Sequence, residues 1–128
     1  MTAAPNFKTS EIFIALASKN VKKQVAFYSE LLQIRPTVNA SSYAELSISN
    51  LKIAIFQPSA DNASEFAAVS SGAMSFCLEV NNIDGVVGYL TDLGYSVPGE
   101  IMQTSHGKEI YAYDPDGNRV ILHQSPSH

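Results

Sequence analysis

Residues Tyr111 to Gln124 read YAYDPDGNRVILHQ, two apolar segments on either side of a polar turn sequence. The turn Asp114-Pro115-Asp116-Gly117 suits a tight reversal, because Asp accepts backbone hydrogen bonds, Pro presets φ and Gly adopts positive φ. The flanking residues are those of paired strands. The stretch therefore predicts a β-hairpin, with Tyr111–Tyr113 entering the turn and Arg119–His123 leaving it.

The composition describes one globular domain over residues 1–128, with 45% hydrophobic and 16% charged residues. The single cysteine, Cys77, excludes an internal disulfide and favours a reducing compartment. No apolar run reaches the roughly 18 residues of a membrane span, and Met1–Ser10 lacks the apolar centre of a signal peptide. We therefore expect a cytoplasmic protein with no membrane partner. The net charge of −4 argues against nucleic acid as a partner.

Outward from the hairpin, the first half of the chain predicts a strand, a helix and three strands. Glu11–Ser18 alternates as a strand buried on both faces, and Asn20 suits the N-cap of a helix that ends before Pro36. Three further strands are predicted at Arg35–Ala40, Ser42–Ile48 and Leu51–Phe56.

The second half repeats this order. Residues 58–72 are rich in Ala, Ser and Asn and predict a linker, with one helical turn near Glu65–Val69. A strand at Ala73–Val80 and a helix capped by Asn82 and ended by Gly94 follow. The remaining strands are predicted at Val97–Gln103, Lys108–Asp114 and Arg119–Gln124.

Two βαβββ modules, at about 8–57 and 73–125, are therefore expected. Asn20 matches Asn82 at a separation of 62 residues, whereas Tyr43 matches Tyr111 and Asn50 matches Asn118 at a separation of 68. This order, together with the DPDGN turn, resembles the vicinal oxygen chelate superfamily of glyoxalases, extradiol dioxygenases and bleomycin-resistance proteins. The resemblance implies an α+β fold in which the two modules form one curled eight-stranded cup with its helices outside.

Metalloenzymes of that superfamily hold a divalent ion on side chains of the first and last strand of each module. The positions that match them here are Phe13 and Ile53 in the first half, and Ser75 and Ile121 in the second. Three carbon-only side chains and a hydroxyl make a poor metal site. The resemblance is thus to the metal-free branch typified by bleomycin-resistance proteins, and we expect no metal and no cofactor.

Strand alternation in phase with Phe13, Ser75 and Ile121 predicts which side chains line the cup. These candidate ligand-binding residues are Phe13, Tyr43, Glu45, Ser75, Glu109, Tyr111, Tyr113, Ile121 and His123, with Ser47 on the same face. Tyrosine rings and carboxylates suit a planar or cationic organic ligand. Each Tyr could equally be a core or dimer-interface residue, and each Glu could be a solvated one.

The leading hypothesis is a metal-independent small-molecule binding protein, sequestering an antibiotic or a toxic metabolite as a homodimer. A second hypothesis is a divergent lyase or dioxygenase with a relocated metal site, in which His123 is supported by Glu109 or Glu45. His123 also reads as a simple polar residue at the end of the last strand. A third hypothesis is an accessory or regulatory domain with a vestigial cup. The sequence leaves open the ligand, and whether the modules pair within one chain or between two.

Overall fold

The computed structural model describes residues 3–6, 8–67 and 73–126. Two four-stranded sheets and two helices form an α+β fold, which confirms the predicted fold class. The first half contains β1 (Ile14–Ala17), α1 (Val21–Leu32), β2 (Val38–Asn39), β3 (Tyr43–Ile48) and β4 (Leu51–Phe56). The second half contains β5 (Phe76–Glu79), α2 (Ile83–Asp92), β6 (Met102–Thr104), β7 (Gly107–Tyr113) and β8 (Arg119–Gln124).

Each half is a βαβββ unit with the same sheet order. The first sheet runs β1-β4-β3-β2 and the second runs β5-β8-β7-β6. In each sheet the strand before the helix pairs in parallel with the last strand, and the other pairs are antiparallel. Within the described residues, no ladder joins the two sheets, so the eight strands form two curved layers and not a closed barrel.

Both helices begin where their caps predict. The side chain of Asn20 accepts a hydrogen bond from the backbone N–H of Lys23, and that of Asn82 accepts one from Gly85. An N-cap of this kind satisfies a backbone donor that the first helical turn leaves free. Beyond α2, Gly94 adopts φ +89, the left-handed conformation that ends a helix.

Several predicted elements differ in extent. The strand predicted at Ala73–Val80 is shortened to β5, and the one predicted at Val97–Gln103 is replaced by the three residues of β6, Met102–Thr104. The first strand begins at Ile14 rather than Glu11, and the predicted strand Arg35–Ala40 is reduced to the two residues of β2. The linker contains a 3₁₀ helix at Ala63–Phe66, slightly before the turn predicted at Glu65–Val69. Residues 68–72 of that linker lie outside the described residues.

The core lies on one face of each sheet, where alternate strand residues pack with the helices. The fully buried large side chains include Phe27 and Tyr28 of α1, and their rings meet edge to face at 4.9 Å. The ring centroids of Phe27 and Tyr95 lie 4.9 Å apart, and those of Tyr28 and Phe76 lie 5.5 Å apart. Helix α1 therefore packs against the second module. We call the opposite face of each sheet its cup face.

The hairpin turn that predicted the fold also joins the modules. Asp114 is 4% exposed, and its Oδ2 accepts hydrogen bonds of 2.7 Å from both Gln24 Nε2 and Tyr28 Oη of α1. Two residues later, Asp116 Oδ2 accepts a 2.6 Å hydrogen bond from Ser18 Oγ. The first module is thus held on the turn between β7 and β8. None of the described helices is long and apolar enough to cross a bilayer.

Candidate functional site

The cup face of the first sheet carries a network in which two carboxylates surround one lysine. Tyr43 Oη donates a hydrogen bond to Glu45, and this bond raises the pKa of the phenol. Lys52 Nζ lies 3.0 Å from Glu11 Oε2 and 3.6 Å from Glu45 Oε1. The same ammonium lies 5.2 Å from the ring centroid of Phe13, within cation–π range. The predicted residues Phe13, Tyr43 and Glu45 therefore meet around one lysine, whose pKa is raised chiefly by its hydrogen bond to Glu11.

On the second sheet, an arginine contacts two of the predicted site residues. Arg119 Nε donates a 2.7 Å hydrogen bond to Ser75 Oγ, and its guanidinium carbon lies 5.8 Å from the ring centroid of Tyr111. Ile121 lies between Tyr111 and Cys77 in the ladder. The guanidinium of Arg119 therefore covers one face of the Tyr111 ring. Tyr111 is 40% exposed, so the other face of its ring is open to a ligand.

His123 is engaged by a residue that the sequence reasoning did not select. Its Nδ1 lies 2.6 Å from Oε1 of Glu79, on the neighbouring strand β5, and Glu79 Oε2 accepts a 2.7 Å hydrogen bond from the backbone N–H of Ser125. The hydrogen bond to Glu79 raises the pKa of the imidazole, with a smaller contribution from the backbone of His106. The same hydrogen bond lowers the pKa of Glu79. The contact between His123 and Glu79 thus links a side chain of β8 to one of β5.

A pocket opens on the second sheet between β7 and the loop after α2. Its volume is about 530 Å³, a size usual for small-molecule sites. Three of the predicted residues, Glu109, Tyr111 and Tyr113, line it together with a second carboxylate, Glu100. The remaining lining residues are Pro98, Gly99, Met102 and Ile110. The lining therefore combines two aromatic rings and two carboxylates with no basic side chain.

The prediction for Ile53 is wrong. Ile53 is 2% exposed and packs in the core, because it pairs with Ile14 and Leu46 on the helix side of its sheet. Its counterpart is Val120, which pairs with Phe76 as Ile53 pairs with Ile14, and not Ile121. The first-module position equivalent to Ile121 is Ala54.

The cause of this error is the length of one turn. Ile48 pairs directly with Leu51 across the two residues Ser49 and Asn50, whereas Asp114 N–H bonds to the carbonyl of Asn118 across three. One extra residue in the second turn shifts β8 against β4. The match of Tyr43 with Tyr111 is also wrong, because in the ladders Tyr43 corresponds to Glu109 and Glu45 corresponds to Tyr111.

The predicted site residues fall into two groups on separate sheets. Phe13, Tyr43 and Glu45 lie on or directly before strands of the first sheet, and the remaining six lie on or directly before strands of the second. Among the described residues, no hydrogen bond, ion pair or ring contact joins one group to the other. The relocated site of the second hypothesis is thus brought together only in part among the described residues: Glu109 pairs with His123 in the ladder, whereas Glu45 lies on the first sheet.

The residues at the superfamily's metal positions do not fit a metal ion. With the corrected register these positions hold Phe13, Ala54, Ser75 and Ile121, which offer one hydroxyl oxygen between them. A catalytic divalent ion needs three or more imidazole, carboxylate or thiolate donors at one point. The part of the chain that the structure describes contains no group of three or more His, Cys, Asp or Glu able to hold one.

Comparison with known proteins places this geometry in a family. The family model of the Glyoxalase/Bleomycin resistance protein/Dioxygenase superfamily matches residues 12–122. The chain belongs to this superfamily. A search of curated proteins found no match.

Solved structures of several other proteins share the fold. A hypothetical protein from S. aureus superposes with a TM-score of 0.77 at 14% identity, covering 92% of this chain and 95% of its own. A glyoxalase-related enzyme from Fulvimarina pelagi superposes with a TM-score of 0.73 at 18% identity, and the match covers 92% of this chain and 90% of the enzyme. A lactoylglutathione lyase from Agrobacterium tumefaciens superposes with a TM-score of 0.66 at 18% identity, and the match covers 91% of this chain and 95% of the lyase. At these identities the likeness establishes the fold alone.

Several residues of the site escaped sequence reasoning, although signals for some were present. Glu79 alternates in phase with Ser75 and Cys77, so strand phase alone places it on the cup face. Glu100 carried no such signal, because it lies in the loop between Asp92 and Met102 and reaches the pocket only through the path of that loop.

Proposed function

We propose that this superfamily member is a small-molecule binding protein that works without a metal ion, with its ligand on the cup face of the second sheet. The observation that carries the proposal is the pocket lined by Glu100, Glu109, Tyr111 and Tyr113. Aromatic rings supply flat apolar contact area, and converging carboxylates supply orientation.

The chemistry of the lining favours an organic cation. Two carboxylates face the pocket, and none of its lining residues is basic. An ammonium or guanidinium group bound there would pair with Glu100 or Glu109, while its apolar part would pack on Tyr113, Met102 and the free face of Tyr111. A cationic antibiotic or toxic metabolite fits this description, and we place the sequestering protein in the cytoplasm.

Metal independence is supported by the side chains themselves. Carbon-only groups stand at three of the four superfamily metal positions, and within the described residues no group of three or more His, Cys, Asp or Glu is placed to hold an ion. Among the described residues, the candidate lyase or dioxygenase activity therefore has no set of metal donors to support it.

A homodimer completes the proposal. β1 and β5 are edge strands that pair on one side only, and the residues just before them include Ile12 and Met74, each 82% exposed. Open edges flanked by apolar side chains are surfaces that a second copy can cover. Because the two groups of cup residues lie on separate sheets within the chain, we propose that the cup is closed between the modules of two chains.

The binding proposal is tested with a panel of organic cations and antibiotics, bleomycin among them, screened by thermal shift on the full chain. A ligand that prefers the folded state raises the midpoint of unfolding. Tyr111→Ala combined with Tyr113→Ala should abolish that shift, whereas Tyr89→Ala, which removes an exposed tyrosine on α2, should retain it. A shift that is equal in all three proteins would contradict the proposed pocket.

The dimer proposal is tested by light scattering during size-exclusion chromatography. The protein should elute at twice the mass of one chain, and Met74→Lys should reduce that mass because it puts a charge on the open edge. Lys22→Glu, on the exposed side of α1, is the matched surface control. A monomer at micromolar concentration in the unmodified protein would overturn this part of the proposal.

A further inference from the structure

A second cavity lies away from the cup-face pocket, where the two modules meet the linker. Its volume is about 450 Å³, and it opens at the carboxyl ends of the parallel strands β1 and β4. The turn between β7 and β8 forms one wall, and the 3₁₀ helix of the linker forms another. None of the nine predicted ligand-binding residues lines this cavity.

One carboxylate in the wall is held in a fixed orientation. Asp116 Oδ2 accepts a 2.6 Å hydrogen bond from the buried Ser18 hydroxyl, and Oδ1 accepts a 3.2 Å hydrogen bond from the backbone N–H of Lys19. A carboxylate has about four lone-pair positions, so two such bonds leave acceptor capacity for a ligand.

The same wall supplies one cation. Lys19 is exposed, and within the described residues its ammonium forms no ion pair, with Asp116 or with any other carboxylate. Among the described residues that line the cavity, Lys19 is the only basic one and Asp116 is the only acidic one. The lining is thus neutral overall but carries both charges.

The opposite wall is apolar and aromatic. The Phe66 side chain is 44% exposed, and its ring packs edge to face on Phe56 at 5.3 Å. Pro58 and two alanines of the linker, Ala63 and Ala67, extend this surface. Gln57 adds an amide that forms no side-chain hydrogen bond within the described part of the chain.

From this arrangement we infer that the cavity binds a small zwitterion with an apolar group, of the α-amino-acid type. The ammonium of such a ligand pairs with Asp116, its carboxylate pairs with Lys19, and its apolar side chain packs on Phe66 and Pro58. A ligand of single charge would leave one of the two protein charges facing it unmatched, which disfavours it. The site is independent of the organic-cation pocket proposed above.

The test uses L-phenylalanine as the probe, with N-acetyl-L-phenylalanine and L-phenylalanine methyl ester as analogues that each lack one charge. Binding to the full chain is followed by isothermal titration calorimetry and by amide chemical shifts in NMR. We expect millimolar or tighter binding of the zwitterion, with the largest shifts at residues 17–19, 57–67 and 116–118. Each analogue should bind roughly tenfold more weakly, the effect of losing one charged contact.

Variants then separate the proposed contacts from folding. Lys19→Met and Phe66→Ala alter exposed side chains. Asp116→Asn removes the charge and keeps one oxygen, which can accept from the Lys19 backbone while the new amide N–H donates to the Ser18 hydroxyl. Each should weaken binding about tenfold, whereas Lys22→Met, an exposed lysine outside the cavity, should not. Absence of binding in the unmodified protein, equal binding of the singly charged analogues, or unchanged affinity in all three variants would each overturn the inference.

Discussion

The hydroxyl of Tyr28 donates a 2.7 Å hydrogen bond to the carboxylate of Asp114, joining the first helix to the last hairpin across 86 residues of sequence. Asp114 also accepts from Gln24 and Asn118 side chains and from the backbone of Asp116 and Asn118. These donors satisfy the oxygens of a buried side chain that would otherwise be costly to remove from water. Burial and the adjacent carboxylate raise the pKa of the Tyr28 phenol, which keeps it a donor.

Asp114→Ala should destabilise the protein by roughly 3 kcal/mol. It leaves the buried donors of Tyr28 and Gln24 without an acceptor, and it removes the hydrogen bonds that shape the turn. Tyr28→Phe removes one donor only and should cost about 1.5 kcal/mol. Urea unfolding followed by circular dichroism measures both. Asp84→Ala, on an exposed carboxylate of α2, is the control and should change the free energy of unfolding by less than about 0.5 kcal/mol. A Tyr28→Phe effect as large as that of Asp114→Ala would contradict the assigned roles.

The pair of Glu79 and His123 should make stability depend on pH within a defined window. The raised pKa of His123 means that its contribution is present below the ordinary value of 6.5 and is lost as the pH rises through the higher folded-state value. The lowered pKa of Glu79 means that its contribution is present above the ordinary value of 4.5 and is lost as the pH falls through the lower folded-state value. The pair should therefore stabilise most between about pH 4.5 and 6.5.

Thermal unfolding of the unmodified protein and of Glu79→Gln, measured from pH 4 to 9, checks this window. The difference in melting temperature should be greatest at mildly acidic pH and should shrink toward pH 9. Asp61→Asn, on an exposed carboxylate of the linker, should run parallel to the unmodified protein throughout. A difference that is constant with pH would show that the contact is not electrostatic.

Two glycines should respond oppositely to alanine. Gly107 has φ +123, and a Cβ there would lie 2.0 Å from the carbonyl oxygen of Gln124, so Gly107→Ala must displace the backbone where β7 meets the end of β8. We expect a loss of at least about 3 kcal/mol or a failure to fold. Gly88 lies inside α2 with open space where a Cβ would stand, so Gly88→Ala should stabilise the protein by about 0.5–1 kcal/mol. Equal effects of the two changes, measured by urea unfolding, would contradict this account.

Elemental analysis should find no stoichiometric Ni, Zn, Fe, Mn or Co in untagged protein purified without chelator. Phe13, Ala54, Ser75 and Ile121 cannot supply the donors that such an ion needs. Chelator treatment should accordingly leave the melting temperature and ligand binding unchanged. Near-stoichiometric metal, lost in His123→Ala, would return the lyase or dioxygenase hypothesis to first place.

The sequence by itself determined the element order, the helix caps, the turns and the alternation of side chains along each strand. These features depend on neighbours within a few residues, such as Asn20 and the N–H of Lys23, or on the period of two along a strand. These features could therefore be predicted from the sequence, and so could the superfamily that shares this order of elements.

Only the tertiary structure decided the register between strands and the contacts between modules. Ile53 lies in the core because it pairs with Ile14 and Leu46, and it does not match Ile121 because the turn before β8 is one residue longer than the turn before β4. The pairing of His123 with Glu79, the reach of Glu100 into the pocket and the docking of Asp114 on Tyr28 each join residues distant in sequence. Such contacts form only when separate elements are packed together, so no local pattern of residues encodes them.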